Sequence, residues 1–166
     1  MTPGALGLTG PTFGDADALL IEAGSPSRAS AVEYKRVKVS QDSFATGELN
    51  KLAELKKAVF QANALHSAGF AYVWLIVIIV SDTRSLTGGL GFGFTPQSYI
   101  QKVIDSIPVA ELTDGVGVVV SQIEQVSDRP ANERGMAGGR IVRVAVEQKQ
   151  SSEMTAAVER IFVDVT

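Results

Sequence analysis

Residues 17–39 have the sequence DALLIEAGSPSRASAVEYKRVKV, which is the pattern of a β-hairpin. A short apolar arm, residues 18–23, ends at Gly24-Ser25-Pro26, which is typical of a turn. The second arm, residues 31–39, alternates apolar and charged side chains, with a slip in the alternation at Arg36. We therefore expect two paired strands here.

The hairpin brings acidic and basic side chains together. Alternate residues of a strand share a face, so Glu33 and Lys35 point the same way, and the start of the first arm brings Asp17 near them. Two carboxylates about 4 Å apart repel by roughly 4 kcal/mol at an effective dielectric near 20. A divalent cation relieves this repulsion better than one lysine, and carboxylate oxygens suit Mg²⁺ or Mn²⁺. The sequence thus predicts a metal site, with Asp15 as the alternative to Asp17.

The next elements extend the pattern. An amphipathic helix is predicted over residues 48–66, with apolar side chains at spacings of three and four and with Gln61 among its polar positions. An apolar strand, residues 70–80, follows and is predicted to be central and covered on both faces. Asp, turn, Glu-x-Lys, helix and strand in this order resemble the core of the PD-(D/E)XK nuclease superfamily, which has the restriction-endonuclease-like fold.

The resemblance implies a metal-dependent nuclease that hydrolyses phosphodiester bonds of nucleic acid, DNA rather than RNA. It implies Mg²⁺, for which Mn²⁺ can substitute, bound by Asp17, Glu33 and the Tyr34 carbonyl. Lys35 would position the attacking water, and Gln61 would support it. The alternative is a catalytically inactive nucleic-acid-binding or structural module of the same fold.

The fold class that follows is α/β, with a mixed central sheet flanked by helices and a C-terminal strand and helix elaboration. Residues 1–14 are rich in Gly, Pro and Thr and are predicted to form a flexible arm, and residues 15–166 one nuclease-like domain. The predicted C-terminal elements are a helix at 96–107, strands at 117–126 and 140–146, a helix at 152–161 and a final strand at 162–165.

Composition and charge narrow the possible partners. The net charge of −3 counts against a general nucleic-acid binder, although Arg36 and Lys38 form a short basic strip that could contact phosphates. There is no cysteine, and the longest apolar run is too short to span a bilayer, so we expect a cytoplasmic protein without membrane contact. A homodimer or a larger complex is compatible with the nuclease interpretation, since two copies are needed to cut both strands together. The glycine-rich residues 86–94 lack the Gly-Lys-Ser/Thr ending of a phosphate-binding loop and are predicted to be a flap. His66, the single histidine, is predicted to end the helix, and Glu22 to be solvent-exposed.

Overall fold

The computed structural model describes residues 16–22, 24–49, 51–83, 95–125 and 135–165. Five strands form one mixed sheet in sequential order, with the central three parallel and each outer strand antiparallel to its neighbour. The strands are β1 (Ala18–Glu22), β2 (Ser25–Val39), β3 (Tyr72–Asp82), β4 (Gly117–Gln125) and β5 (Gly135–Arg143). The predicted α/β class with a mixed sheet is confirmed.

The helices connect and cover the parallel strands. They are α1 (Gln41–Thr46), α2 (Glu54–Ser67), α3 (Gln97–Asp105) and α4 (Ser152–Val165), with a 3-10 turn at Val109–Glu111. Because parallel neighbours need a crossover, α2 lies between β2 and β3, and α3 lies between β3 and β4. Of the helices in the described ranges, none has the length and apolar character to cross a membrane.

One face of the sheet carries the hydrophobic core. The odd-numbered residues of β3 from Val73 to Ile79 are fully buried, and they share one core with the apolar residues of α2, α3 and α4. Period-two alternation along the strand explains this, since every second side chain meets the helices. The even-numbered side chains of β3, on the other face, are only partly buried. The described helices therefore cover the odd-numbered face, whereas two covered faces were predicted.

The second hairpin strand is longer and more regular than predicted. β2 begins at Ser25 and pairs with β3 in unbroken register from Ser30 to Val39, so the slip of the apolar pattern at Arg36 does not interrupt the strand. Val37 and Val39 consequently share the helix-covered face with the predicted site, and Lys38 lies on the opposite face.

The segment before the long helix differs from the prediction. Residues 41–46, for which no helix was predicted, form α1, whose N-cap Ser40 and Ser43 make a reciprocal capping box. Gly47 ends α1 with φ of 72°, a left-handed conformation that suits glycine. The second helix begins at Glu54, so the predicted helix at residues 48–66 is too long at its start.

The C-terminal helices and strands differ from the predicted ones in their boundaries and, in one case, in their type. The predicted strand at 140–146 lies earlier, at β5, and the predicted strand at 162–165 is instead the end of α4. Pro96, expected as the first helical residue, is the N-cap of α3. The predicted arm at 1–14, Asp15 and the flap at 86–94 lie outside the described residues.

Candidate functional site

Asp17 is positioned by the hairpin register. Ala18 pairs with Val32, so the preceding residue stands opposite Glu33, and directly opposite residues of antiparallel strands share a face. The Asp17 amide donates to the Val32 carbonyl at 3.1 Å, and its Oδ2 accepts a hydrogen bond from the Tyr34 amide at 2.7 Å. The carboxylate thus continues the hydrogen-bond ladder beyond the last backbone pair.

Glu33 and Lys35 form the centre of the site. Regular alternation along β2 puts both on the helix-covered face, where Glu33 is 1% exposed and the Lys35 side chain 23% exposed. The Lys35 ammonium nitrogen lies 2.7 Å from Glu33 Oε1 and forms an ion pair with it. The predicted convergence of these two side chains is present, with the lysine nearer to solvent.

The buried carboxylate is incompletely satisfied. Glu33 Oε2 accepts no hydrogen bond from any described residue, and neither does the buried Oε1 of Gln61 on α2. An unpaired buried polar atom costs about 1–3 kcal/mol, so native proteins rarely keep one without an ion, water or functional reason.

The electrostatics of the cluster follow from its burial. Burial raises the pKa of Glu33 above its ordinary value of 4.5; the Lys35 ammonium opposes this rise and the Asp17 carboxylate adds to it. The hairpin register, with Ala18 opposite Val32, makes Asp17 and Glu33 neighbours on one face of the sheet. The site therefore holds two carboxyl groups and only one ammonium group, so a further cation would balance its charge.

The outer edge of β2 gives access to the cluster. β1 pairs with β2 only up to Val32, so within the described ranges the edge from Tyr34 onward has no strand beside it. A residue in a strand directs its N–H and C=O to the same edge, so the Tyr34 carbonyl lies on the side of Asp17. Asp17 itself is exposed, which makes this edge the entrance to the site.

The oxygen atoms available as metal ligands at this site suit a hard divalent cation. The two carboxylates and the Tyr34 carbonyl are all oxygen ligands, and Mg²⁺ usually takes one or two carboxylates and keeps several waters. Across the described ranges, no cluster of three or more His, Asp or Glu side chains has metal-binding geometry. The residues of the site therefore fit a two-carboxylate Mg²⁺ site and would not form a complete protein cage.

The other predicted residues make no hydrogen bond or ion pair with this cluster among the described residues. Gln61 is half-buried on α2, and no hydrogen bond or ion pair among the described residues joins it to the carboxylates. Arg36 and Lys38 are exposed on the opposite face of β2. Glu22 is exposed, as predicted, and forms an ion pair with Arg28 at 2.9 Å.

His66 has a structural environment. It lies in the last turn of α2, as predicted, and its carbonyl accepts a hydrogen bond from Gln148 at 2.9 Å. Burial lowers the pKa of its imidazole, and the nearby Arg143 adds to this. A neutral His66 packed beside Gly115 is therefore part of the helix end, away from the carboxylate pair.

A second buried carboxylate was missed by the sequence analysis. Glu124 is 1% exposed; its Oε1 accepts a hydrogen bond from the Thr95 amide, and its Oε2 has no partner among the described residues. The Thr95 hydroxyl donates to Ser81 Oγ at 2.7 Å. The alternation Val118, Val120, Gln122, Glu124 could have placed this acid on the helix-covered face.

Comparisons of this chain with family models, with curated proteins and with solved structures find no match. The functional argument therefore depends on the geometry and chemistry of the residues described above.

Proposed function

We propose that this chain is a metal-dependent nuclease of the PD-(D/E)XK type, with a restriction-endonuclease-like core, that hydrolyses phosphodiester bonds in DNA. The observation that carries the proposal is the convergence of Asp17, Glu33 and Lys35 at an accessible edge of the sheet. A hairpin, a crossover helix and a parallel strand follow in the order that the superfamily resemblance implies, which supports the proposal.

Each residue has a role that its position permits. Asp17 and Glu33 would hold Mg²⁺ together with the Tyr34 carbonyl, and Mn²⁺ would fit the same oxygens. Bound there, the metal would polarise a phosphoryl oxygen and lower the pKa of a coordinated water. The Lys35 ammonium, partly exposed above Glu33, would orient the attacking water and stabilise negative charge on the phosphorus oxygens. Gln61, half-buried on α2 with a buried amide oxygen that has no partner among the described residues, would support this water.

The direct test is cleavage of plasmid and single-stranded DNA with Mg²⁺, Mn²⁺ or EDTA. We expect metal-dependent cleavage that falls by about 10²–10⁴-fold in Lys35→Ala, which is the scale for a positioned proton-transfer or charge-stabilising group. Glu33→Gln should lose comparable activity. Lys149→Ala is the control, because Lys149 is an exposed lysine in the segment after β5 and has no role in the proposed site. Normal cleavage by Lys35→Ala would show that the assignment is wrong.

The contact between Lys35 and Glu33 favours a second candidate, an inactive nucleic-acid-binding module. At 2.7 Å, the ammonium already neutralises the buried carboxylate and could replace a metal permanently. Thermal melting with Mn²⁺ separates the two candidates, since a ligand that binds the folded state raises its stability. No cleavage and no Mn²⁺ effect would select the module, whereas a Mn²⁺ effect without cleavage would keep the metal site and indicate a different substrate.

A further inference from the structure

The buried carboxylate of the proposed site already has a cationic neighbour from its own strand. Both oxygens of Glu33 are buried, and the Lys35 nitrogen lies 2.7 Å from Oε1. The Lys35 side chain is 23% exposed, so the ammonium is the outer member of the pair. Among the described residues, no other cation forms an ion pair with Glu33. The one group that neutralises this carboxylate therefore lies on its solvent side.

A divalent cation and this ammonium group exclude each other at Glu33. Mg²⁺ binds its oxygen ligands at about 2.0–2.1 Å, so a metal on Glu33 Oε1 would lie less than about 5 Å from the Lys35 nitrogen. Like charges at this separation repel strongly in a partly buried site, because little water or salt screens them. A metal on Oε2 would meet the same repulsion, since both oxygens belong to one carboxylate. The lysine must therefore move when a divalent cation binds Glu33.

The lysine is the member of the pair that is able to move. Its ammonium is carried on a flexible four-carbon stem, which can stay packed while the charged end turns toward water. Within the described ranges, Glu33 is the one residue with which this ammonium forms an ion pair. Glu33 itself is 1% exposed and lies in the middle of β2, where the neighbouring strand and the helices hold it. Displacement of Lys35 toward solvent therefore requires no change in the sheet.

We propose that Lys35 competes with the divalent cation for Glu33: it neutralises the carboxylate in the metal-free protein and is released from it when the metal binds. This inference rests on the proposed function, because it takes Asp17 and Glu33 as the metal ligands. Once released, the ammonium lies at the mouth of the site, where it can contact a phosphoryl oxygen of the substrate. The lysine thus reaches its catalytic position only in the metal-loaded protein.

Competition predicts that removing the ammonium has opposite effects on metal binding and on cleavage. Lys35→Met should lower the dissociation constant for Mn²⁺ by about 10-fold or more, within the 5–150-fold range that is usual for coupling between two binding events. The same variant should lose cleavage. A lysine that acts only on the substrate would leave the affinity for Mn²⁺ unchanged. Lys35→Arg, which keeps the positive charge, should bind Mn²⁺ no more tightly than the wild type.

The test is isothermal titration of the full chain with MnCl₂ at neutral pH, after removal of bound metal with a chelator. Lys149→Ala is the control, since this exposed lysine in the segment after β5 should leave the affinity unchanged. The double variant Glu33→Gln with Lys35→Met should lose the tighter binding, because the contested carboxylate is gone. Circular dichroism checks that each variant is folded, and Lys35→Gln, also neutral, provides the same comparison if Lys35→Met does not fold.

The outcomes separate this inference from the proposed function. Tighter binding by the neutral variants supports competition; if the wild type then binds no Mn²⁺ at all, the inactive module is selected over the nuclease. Equal or weaker binding by the neutral variants overturns competition, while a wild type that binds Mn²⁺ and cleaves DNA keeps the nuclease. Tight binding that persists in the Glu33→Gln double variant also overturns it, since the metal would not be at Glu33. No Mn²⁺ binding by any variant overturns competition, and the cleavage assay alone then decides the nuclease.

Discussion

Replacing Lys35 by methionine should reveal how strongly the buried carboxylate of Glu33 depends on its single close cation. The Lys35 ammonium lies 2.7 Å from Glu33 Oε1, which corresponds to at most about 6 kcal/mol at an effective dielectric of 20. Breaking a buried ion pair on one side usually costs about 3–5 kcal/mol, and the 23% exposure of the lysine reduces that. We expect Lys35→Met to lower the free energy of unfolding by about 2–3 kcal/mol at pH 8. The melting temperature should fall by roughly 5–10 °C, at about 2–4 °C per kcal/mol.

This loss should depend on pH with a defined sign. Burial raises the pKa of Glu33 in the folded protein, so the folded state binds a proton more readily than the unfolded state. The stabilisation from this group is complete below about 4.5 and is lost as pH rises through the folded pKa. Lys35→Met removes the group that holds this pKa down, so its penalty should be small near pH 4.5 and largest at pH 8. Each unit of additional pKa shift corresponds to about 1.4 kcal/mol.

Thermal and urea unfolding from pH 4.5 to 8.5 at low salt would measure this. The double variant Lys35→Met with Glu33→Gln should recover most of the lost stability at pH 8, because the buried charge is removed as well. Lys38→Met, exposed on the other face of the same strand, is the control for losing a surface lysine. Equal destabilisation by Lys35→Met at pH 4.5 and pH 8, or a double variant as unstable as the single one, would refute the electrostatic reasoning.

Three further perturbations should follow from the contacts. Mn²⁺ at 100 times its dissociation constant should raise the free energy of unfolding by about 2.7 kcal/mol, measured by differential scanning fluorimetry. Asp17→Asn should abolish most of this stabilisation, and an undiminished stabilisation in this variant would place the metal elsewhere. Gly117→Ala should destabilise the fold by about 1–3 kcal/mol in urea titrations, since its Cβ would meet the Trp74 ring, and a smaller alanine effect in Gly117→Ala/Trp74→Ala would confirm that cause. Gln150→Leu should lower the free energy of unfolding by about 1–3 kcal/mol in the same titration. The largely buried Gln150 amide accepts a hydrogen bond from the Ala29 N–H at 2.9 Å and donates one to the Pro26 carbonyl at 2.8 Å. No change in stability would show that water satisfies these backbone groups in the variant.

Local pattern was enough to predict the core of the site. Glu33 and Lys35 share a face because strand alternation has a fixed period of two, and Asp17 joins them because the intervening turn makes a hairpin. The position of Gln61 on a helix is likewise determined by a periodic apolar stripe. What these patterns could not supply is the orientation of the Gln61 amide, which depends on how α2 packs on the sheet.

The sequence-based predictions fail where a short segment is compatible with two kinds of secondary structure. Residues 162–165 are a brief apolar run, which is compatible with a strand and with the last turn of α4, and periodicity alone cannot distinguish them. The start of the long helix was misplaced because the paired serines of the α1 capping box were not recognised. The one-sided cover of β3 is a tertiary property, and an apolar strand has the same sequence whether its second face meets a helix of its own chain or another molecule.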